Sequence, residues 1–436
     1  MAHPFTAGSF NWIGGIEDTC VYPAPGADME PLDEYDLTEH TEHWKNDLRA
    51  VRDLGATSIR YGVNWPLVHI GPHEFDWTML DERLAFATSE LGLTVIADLV
   101  HYGTPTWLSD SFADPGYPDA VARFTGAFAA RYRGVVDHLT PLNEPLTTAS
   151  FCGLRGVWPP ALTGWAGWTK VTLAIVTGIS RSIAAARTAN PDVVIVHVEA
   201  ATLYLTPAPE LKAHAGQLEA IGMLPTDLLL GRVDPSHELY SWLIESGATA
   251  NELDRLRVDV PEIDILGVNY YPDLSPRTLL HVEGVVSQIA TNLGADGLAT
   301  TLTRFADRYH LPMIITETSI EGEDTVRTQW LEESVARVHE LRHLGIDLRG
   351  YTWWPIMDFV DWSYASEGRN VEEFAVDEAI VVARSSSSAT LTGQARKTPF
   401  LRRMGLVRLD ELDDGSLKRV PTTAAARFSD LIRGDA

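Results

Sequence analysis

The sequence holds two carboxylates in settings that invite chemistry, Glu144 in "HLTPLNEPLT" and Glu317 in "LPMIITETS". Each follows a run that reads as the end of a strand. Pro145 lacks an N–H and fixes its own φ, so it fits poorly inside a sheet, and that strand should end at Asn143–Glu144. Two glutamates brought together can cleave a glycosidic bond. One protonates the leaving oxygen, and the other attacks the anomeric carbon or activates water. A lone strand-end glutamate is more often a solvated rim charge, so the case depends on what converges with this pair.

The elements that must position them are legible as eight short apolar runs: GSFNWIGGI, ATSIRYGV, LTVIADLV, VVDHLTPL, DVVIVHVE, IDILGVNYY, LPMIITET and LRGYTWWP. Longer amphipathic stretches lie between several of them, such as HTEHWKNDLRAVRDLG and VRTQWLEESVARVHELRHLG. Strands separated by helices imply a parallel sheet, and eight is the number that closes a (β/α)8 barrel. The alternative, an open doubly wound sheet, would carry a glycine-rich phosphate loop after its first strand, and none is present. The expected fold is therefore α/β, a (β/α)8 TIM barrel, as a single domain over residues 1–436. The barrel should close near residue 355, with the tail packing back on it. SSSSATLTGQ at 385–394 reads as a mobile loop.

In such a barrel the reacting groups sit at the carboxyl ends of the strands. Glu17, Arg60, Asn64–Trp65, His101, Asn143–Glu144, Glu199, Asn269–Tyr271, Glu317 and Trp353–Trp354 fall there, followed by Asp358, Asp361 and Trp362. Glu144 and Glu317, after the fourth and seventh strands, would face each other. Rim aromatics offer apolar faces to sugar rings, while Asn, His and carboxylates hydrogen-bond hydroxyls. Arg60 would lie near the nucleophile and keep its pKa low, with the partner acid protonated in a less polar setting. The chain has 13 tryptophans, more than a sugar site can use, so most should be core. His40 and His43 have a spacing a metal could use, but no third ligand accompanies them, and they read as ordinary helix-start residues.

Composition fits this picture. With 45% hydrophobic and 22% charged residues, the chain can bury a sizeable core. A formal charge of −26 disfavours nucleic acid and anionic membranes as partners. The N-terminal MAHPFTAGSF has neither the basic nor the apolar region of a signal peptide, and no apolar run is long enough to span a membrane. Cys20 and Cys152 give no disulfide framework and no metal-ligand spacing, so a reduced, cytoplasmic protein is expected.

The motifs, taken in order, resemble glycoside hydrolase family 1, the β-glucosidase family, from about residue 10 to the end. "TPLNEP" is similar to its T-x-N-E-P motif, which implies Glu144 as general acid/base and Asn143 as ligand of the sugar 2-hydroxyl. "IITETS" resembles I-T-E-N-G and implies Glu317 as nucleophile. "SIRYGVNWP" resembles R-F-S-I-x-W-P and carries Arg60 over; "LGVNYYP" is similar to G-x-N-Y-Y and implies that Tyr271 bonds the nucleophile. "LVHYGTP" resembles L-x-H-W-D-x-P, so His101 would bind a glycone hydroxyl. "WWPIMDFVDW" resembles W-S-L-L-D-N-F-E-W, placing Trp354, Asp361 and Trp362 around the glycone. "MGLVRLD" and "LKRVPTTAAARF" look like its closing segments.

Departures cluster near the glycone. The first-strand glutamine of Q-I-E-G has no clear counterpart in "WIGGIEDT", where Glu17 could take a hydroxyl-binding role. The glycone-binding glutamate becomes Asp361, H-W-D becomes His101-Tyr102-Gly103, and Asn-Gly after the nucleophile becomes Thr318-Ser319. A Ser-x-Lys-x-Tyr phosphate site is absent, which disfavours a 6-phospho-sugar. The resemblance implies a retaining β-glycosidase acting on a small-molecule or oligosaccharide glycoside through a covalent glycosyl-enzyme, with no cofactor or metal. Alternatives are a transglycosylase using the same intermediate and a non-catalytic carbohydrate-binding barrel, against which the retention of both glutamates speaks. A metal-dependent barrel hydrolase would need a His-x-His after the first strand, and that is absent.

Overall fold

A computed structural model describes residues 4–23, 29–258, 260–366, 369–375, 380–385 and 397–435. Of the loop expected at 385–394, all but Ser385, which ends a strand (Ile380–Ser385), lies outside the described residues. Eight parallel strands form a closed barrel. They are β1 (Asn11–Gly15), β2 (Ser58–Gly62), β3 (Thr94–Asp98), β4 (His138–Thr140), β5 (Val194–Ala200), β6 (Ile265–Asn269), β7 (Met313–Thr318) and β8 (Leu348–Trp353). β1 pairs with both β2 and β8, which closes the ring. All eight runs read from the sequence are barrel strands.

A helix follows each strand: α1 (His40–Asp53), α2 (Thr78–Ala85), α3 (Tyr117–Arg131), α4 (Gly164–Ala189), α5 (Lys212–Leu229), α6 (Gly294–Tyr309), α7 (Asp324–His343) and α8 (Thr423–Asp435). The tail packs back as expected, with Phe428 of α8 set edge-on against Trp12 of β1. Trp353 at the end of β8 donates its indole N–H to the carbonyl of Met404.

The barrel strands are buried on both faces, which is why they read as continuous apolar runs. Inside the ring, Ile13, Ile96, Val196, Val198, Ile265 and Ile314 pack together, and Phe5 joins them. The Phe5 ring meets His138 at the start of β4, so it plugs the amino end of the barrel. Burying an aliphatic side chain of this size contributes about 1.5–3 kcal/mol. That apolar layer supports a polar one above it. Side chains two residues apart share a face of a strand. The inward row therefore runs from Ile96 to Asp98 on β3, from Ile265 to Asn269 on β6 and from Ile314 to Thr316 on β7.

Candidate active site

A cavity of about 450 Å³ opens above that polar layer. Glu17, His101, Tyr102, Glu144, Asn269, Tyr271, Glu317, Trp354, Asp361 and Trp362 line it. Arg60 and Asn143, both fully buried, lie directly beneath. All ten residues singled out as site candidates are thus brought together. Several other strand-end groups are not. Asn64 donates to Asp33, Tyr270 donates to the carbonyl of Gly294, and Asp358 accepts from the N–H groups of Gly405 and Leu409. His40 bonds Asp47 and Tyr61 in the core, while the half-buried His43 lies beside Glu39, so the two histidines do not converge.

Strict alternation from Ile314 and Thr316 would turn Glu317 away from the barrel interior. The register of β7 shifts between Ile315 and Glu317 against β6, and again between Ile315 and Thr318 against β8. Such a bulge re-aims a side chain. Here it delivers Glu317 to Arg60 Nη1 at 2.5 Å and to the hydroxyl of Tyr271 at 2.7 Å, both donating. The Arg60 guanidinium sits 4.6 Å from the Trp354 ring centre. Gly15 makes room for that indole, since a Cβ there would lie 2.0 Å from a Trp354 carbon.

Arg60 does not hold the Glu317 carboxyl low, contrary to the sequence expectation. Burial pushes it up to about 8, against the pull of Arg60 and with the charge of Glu144 adding to the rise. One reason is that Arg60 also donates from Nη2 to Asp98, so its charge is divided between two carboxylates.

Glu144 answers the question its sequence poses. β4 ends at Thr140, earlier than expected. Pro145 then opens a short helical turn, Pro145–Ala149, at the first position, where a missing N–H costs nothing. Glu144 itself takes left-handed backbone angles (φ 46), and so does Tyr102 (φ 72). Non-glycine residues held there cost on the order of 1–3 kcal/mol each and cluster at active sites. The Glu144 backbone is pinned, its N–H donating to the carbonyl of Val198. Its side-chain Oε1 accepts from Asn269 Nδ2 and its Oε2 from the hydroxyl of Tyr102, both at 2.7 Å. The Asn269 carbonyl is held in turn by Thr316.

Sequence reasoning missed four contributors. Asp98 was visible only as a charge inside an apolar strand run, two residues after inward-facing Ile96. Asp18 and Asp98 both lie 2.9 Å from His101 Nδ1, and burial pushes the Asp18 carboxyl up to about 6 against the pull of His101. Those three residues have the proximity of a metal site. The Arg60 guanidinium on Asp98 and the His101 proton already compensate the charge, which disfavours a cation there. Tyr102 was noticed as a departure but not as a partner of Glu144. Arg402, from a two-residue strand (Leu401–Arg402) late in the chain that carries no signal, joins Asp361 to Glu321.

The sequence profile of Glycosyl hydrolase family 1 matches residues 280–371, a segment that carries Glu317, Trp354, Asp361 and Trp362. A β-galactosidase of Saccharolobus solfataricus is 24% identical over 62% of this chain and 60% of its own. The bifunctional β-D-glucosidase/β-D-fucosidase of Bifidobacterium breve is 24% identical over 77% of this chain and 83% of its own. The chain is thus similar to glycosyl hydrolase family 1, in that segment and in these relatives. The family 1 β-glucosidase of Thermotoga maritima shares its fold, with a TM-score of 0.76 at 17% identity over 98% of both chains. Among the described residues no helix is long and apolar enough to cross a membrane.

Two wall residues already hold partners of their own. Glu17 accepts from the Trp354 indole N–H and from Thr19. Asp361 accepts from Arg402 and Ser363, and despite burial Arg402 keeps its carboxyl below the usual range.

Proposed function

We propose that this protein is a retaining β-glycosidase. The observation that carries the reading is a pair of buried glutamates joined through one hydrogen-bonded layer. Arg60 and Tyr271 engage Glu317, and Asn269 and Tyr102 engage Glu144. Glu317 attacks the anomeric carbon while Glu144 passes its proton to the departing oxygen, so the glycosidic C–O bond breaks as the ester bond forms. Glu144, then a carboxylate, takes a proton from water, whose oxygen attacks the anomeric carbon and releases Glu317. Glu17, His101, Asn143, Trp354, Asp361 and Trp362 surround the glycone. Asn143 acts from beneath, since its side chain is committed to Arg60 and Tyr102. Phe151, Leu154, Trp165, Ile221, Leu274 and Ile289 add an apolar stretch of wall, beside Arg155, Arg277 and Gln288, and that stretch suits an aryl or alkyl aglycone.

The test is turnover of aryl β-glycosides of glucose, galactose, fucose, xylose and glucuronic acid, with proton NMR of the first-formed product. At least one sugar is expected to be released as its β-anomer. No turnover across the panel would reject the activity, and an α-anomer first would reject retention.

The pH profile follows from the raised Glu317 carboxyl. Attack needs the carboxylate, so kcat/KM should fall about tenfold per pH unit below the acid limb. That limb belongs to the coupled pair of glutamates. It should lie well above the ordinary glutamate value of 4.5, toward 8. A limb near 4.5 would mean that Arg60 outweighs burial.

A further inference from the structure

The hydrogen bond between Tyr102 and Glu144 has a fixed direction, and that direction is set from the nucleophile's side of the cavity. Arg60 Nη2, which can only donate, lies 2.7 Å from Asn143 Oδ1. This fixes the carbonyl end of the Asn143 amide. Its nitrogen must therefore face Tyr102, donating to the phenol oxygen at 2.9 Å. With its oxygen already accepting, Tyr102 turns its own O–H to Glu144 Oε2 at 2.7 Å. The ring has little freedom to do otherwise. It is 2% exposed and packed against His101, Trp158 and Trp362. Gly103 presses the chain beyond it onto the first-strand loop, where a Cβ would lie 1.7 Å from the carbonyl oxygen of Cys20.

We propose that Tyr102 is the positioning residue of the acid/base: its phenol aims Glu144 and stabilises the carboxylate that Glu144 becomes once the leaving group is protonated. This rests on the glycosidase reading above. Burial and the charge of Glu144 hold the phenol well above its ordinary pKa, so it stays protonated and remains a donor. Neighbouring charges compete with it. Glu317 and Glu199 face Glu144 from β7 and β5, and Tyr271, itself held protonated by burial and Glu317, stands beside them. Arg60 reaches Glu144 through Asn143, by way of Tyr102 on one carboxylate oxygen and of Asn269 on the other. A donor to the anionic form favours that form. Tyr102 thus makes Glu144 a readier proton donor in the first step, and it holds the same oxygen in place for the second.

The experiment uses two variants of the full-length chain. Tyr102→Phe keeps the ring and its packing and deletes only the donor. Replacement of Tyr102 by 3,5-difluorotyrosine keeps the bond and makes the phenol a stronger donor. The readouts are the basic limb of the kcat/KM profile and a carbon-13 NMR titration of the Glu144 side-chain carboxyl. Tyr102→Phe is expected to move both to higher pH, by about one unit, and to lower kcat/KM for an alkyl glycoside about 10- to 100-fold. The fluorinated tyrosine is expected to move both to lower pH. If neither variant moves the Glu144 titration, or both move it the same way, the proposal is wrong, whatever happens to activity. The titration needs no substrate. A wild type that hydrolyses no glycoside would therefore overturn the glycosidase reading while leaving the Tyr102–Glu144 link separately decided.

Discussion

Glu317→Ala is expected to lower kcat/KM for every aryl glycoside by about 10⁴-fold or more, a loss of roughly 5.5 kcal/mol of transition-state stabilisation. The covalent intermediate cannot form without the carboxylate, so an activated leaving group gives no relief. The fold should survive. Arg60 keeps Asp98 as its partner, and the carboxyl that is lost is one that burial had pushed up to about 8. The vacated space lies between Arg60 and Tyr271, both donors, and is suited to a small anion. Azide or formate should restore part of the rate. Azide entering from that side should give the α-glycosyl azide, because one displacement replaces two. Chromatography and NMR of the product decide it. Activity above about 1% of wild type without added anion would assign the nucleophile elsewhere.

What the sequence made legible follows from the barrel's own physics. IDILGVNYY contains Ile265–Asn269 and LPMIITET contains Met313–Thr318, because a strand buried on both faces must be written as an apolar run. The polar ends of those runs mark the site because inward positions repeat every second residue. Glu317 breaks that rule. Its side chain reaches the cavity through a register shift, and nothing in "ITET" announces a bulge. Its strand-end position and its motif placed it at the site, whereas alternation alone would have pointed it outward. Asp98 was legible as an oddity but not as a second claimant on Arg60, since that contact joins residues 38 positions apart. The expected low Glu317 pKa failed because burial outweighs the pull of Arg60, whose charge is also shared with this unseen partner. Tyr102 was hidden differently. Its role depends on a left-handed backbone, on Gly103 beside it and on Asn143, and only the three-dimensional arrangement brings these together.

Glu144→Ala should separate substrates that Glu317→Ala treats alike. A 2,4-dinitrophenyl glycoside needs no proton to leave, so formation of its glycosyl-enzyme should be nearly unchanged in kcat/KM. An alkyl glycoside, which cannot depart without one, should lose about 10²- to 10⁴-fold. The second step also suffers, because no carboxylate remains to take a proton from water. The dinitrophenyl substrate should therefore show a burst followed by slow turnover, with a low kcat and a low KM. Azide needs no base. It should raise kcat by capturing the intermediate, and the product should be the β-glycosyl azide, opposite in configuration to that from Glu317→Ala. Opposite anomers from the two variants would fix which face each glutamate serves. The side-chain donors of Asn269 and Tyr102 lose their acceptor in this variant, and leaving them unmet would cost about 1–3 kcal/mol. The cavity opens onto both, so water or azide can take the carboxylate's place and the fold should hold. Equal losses on the two substrates, or an α-azide from this variant, would move the acid role away from Glu144.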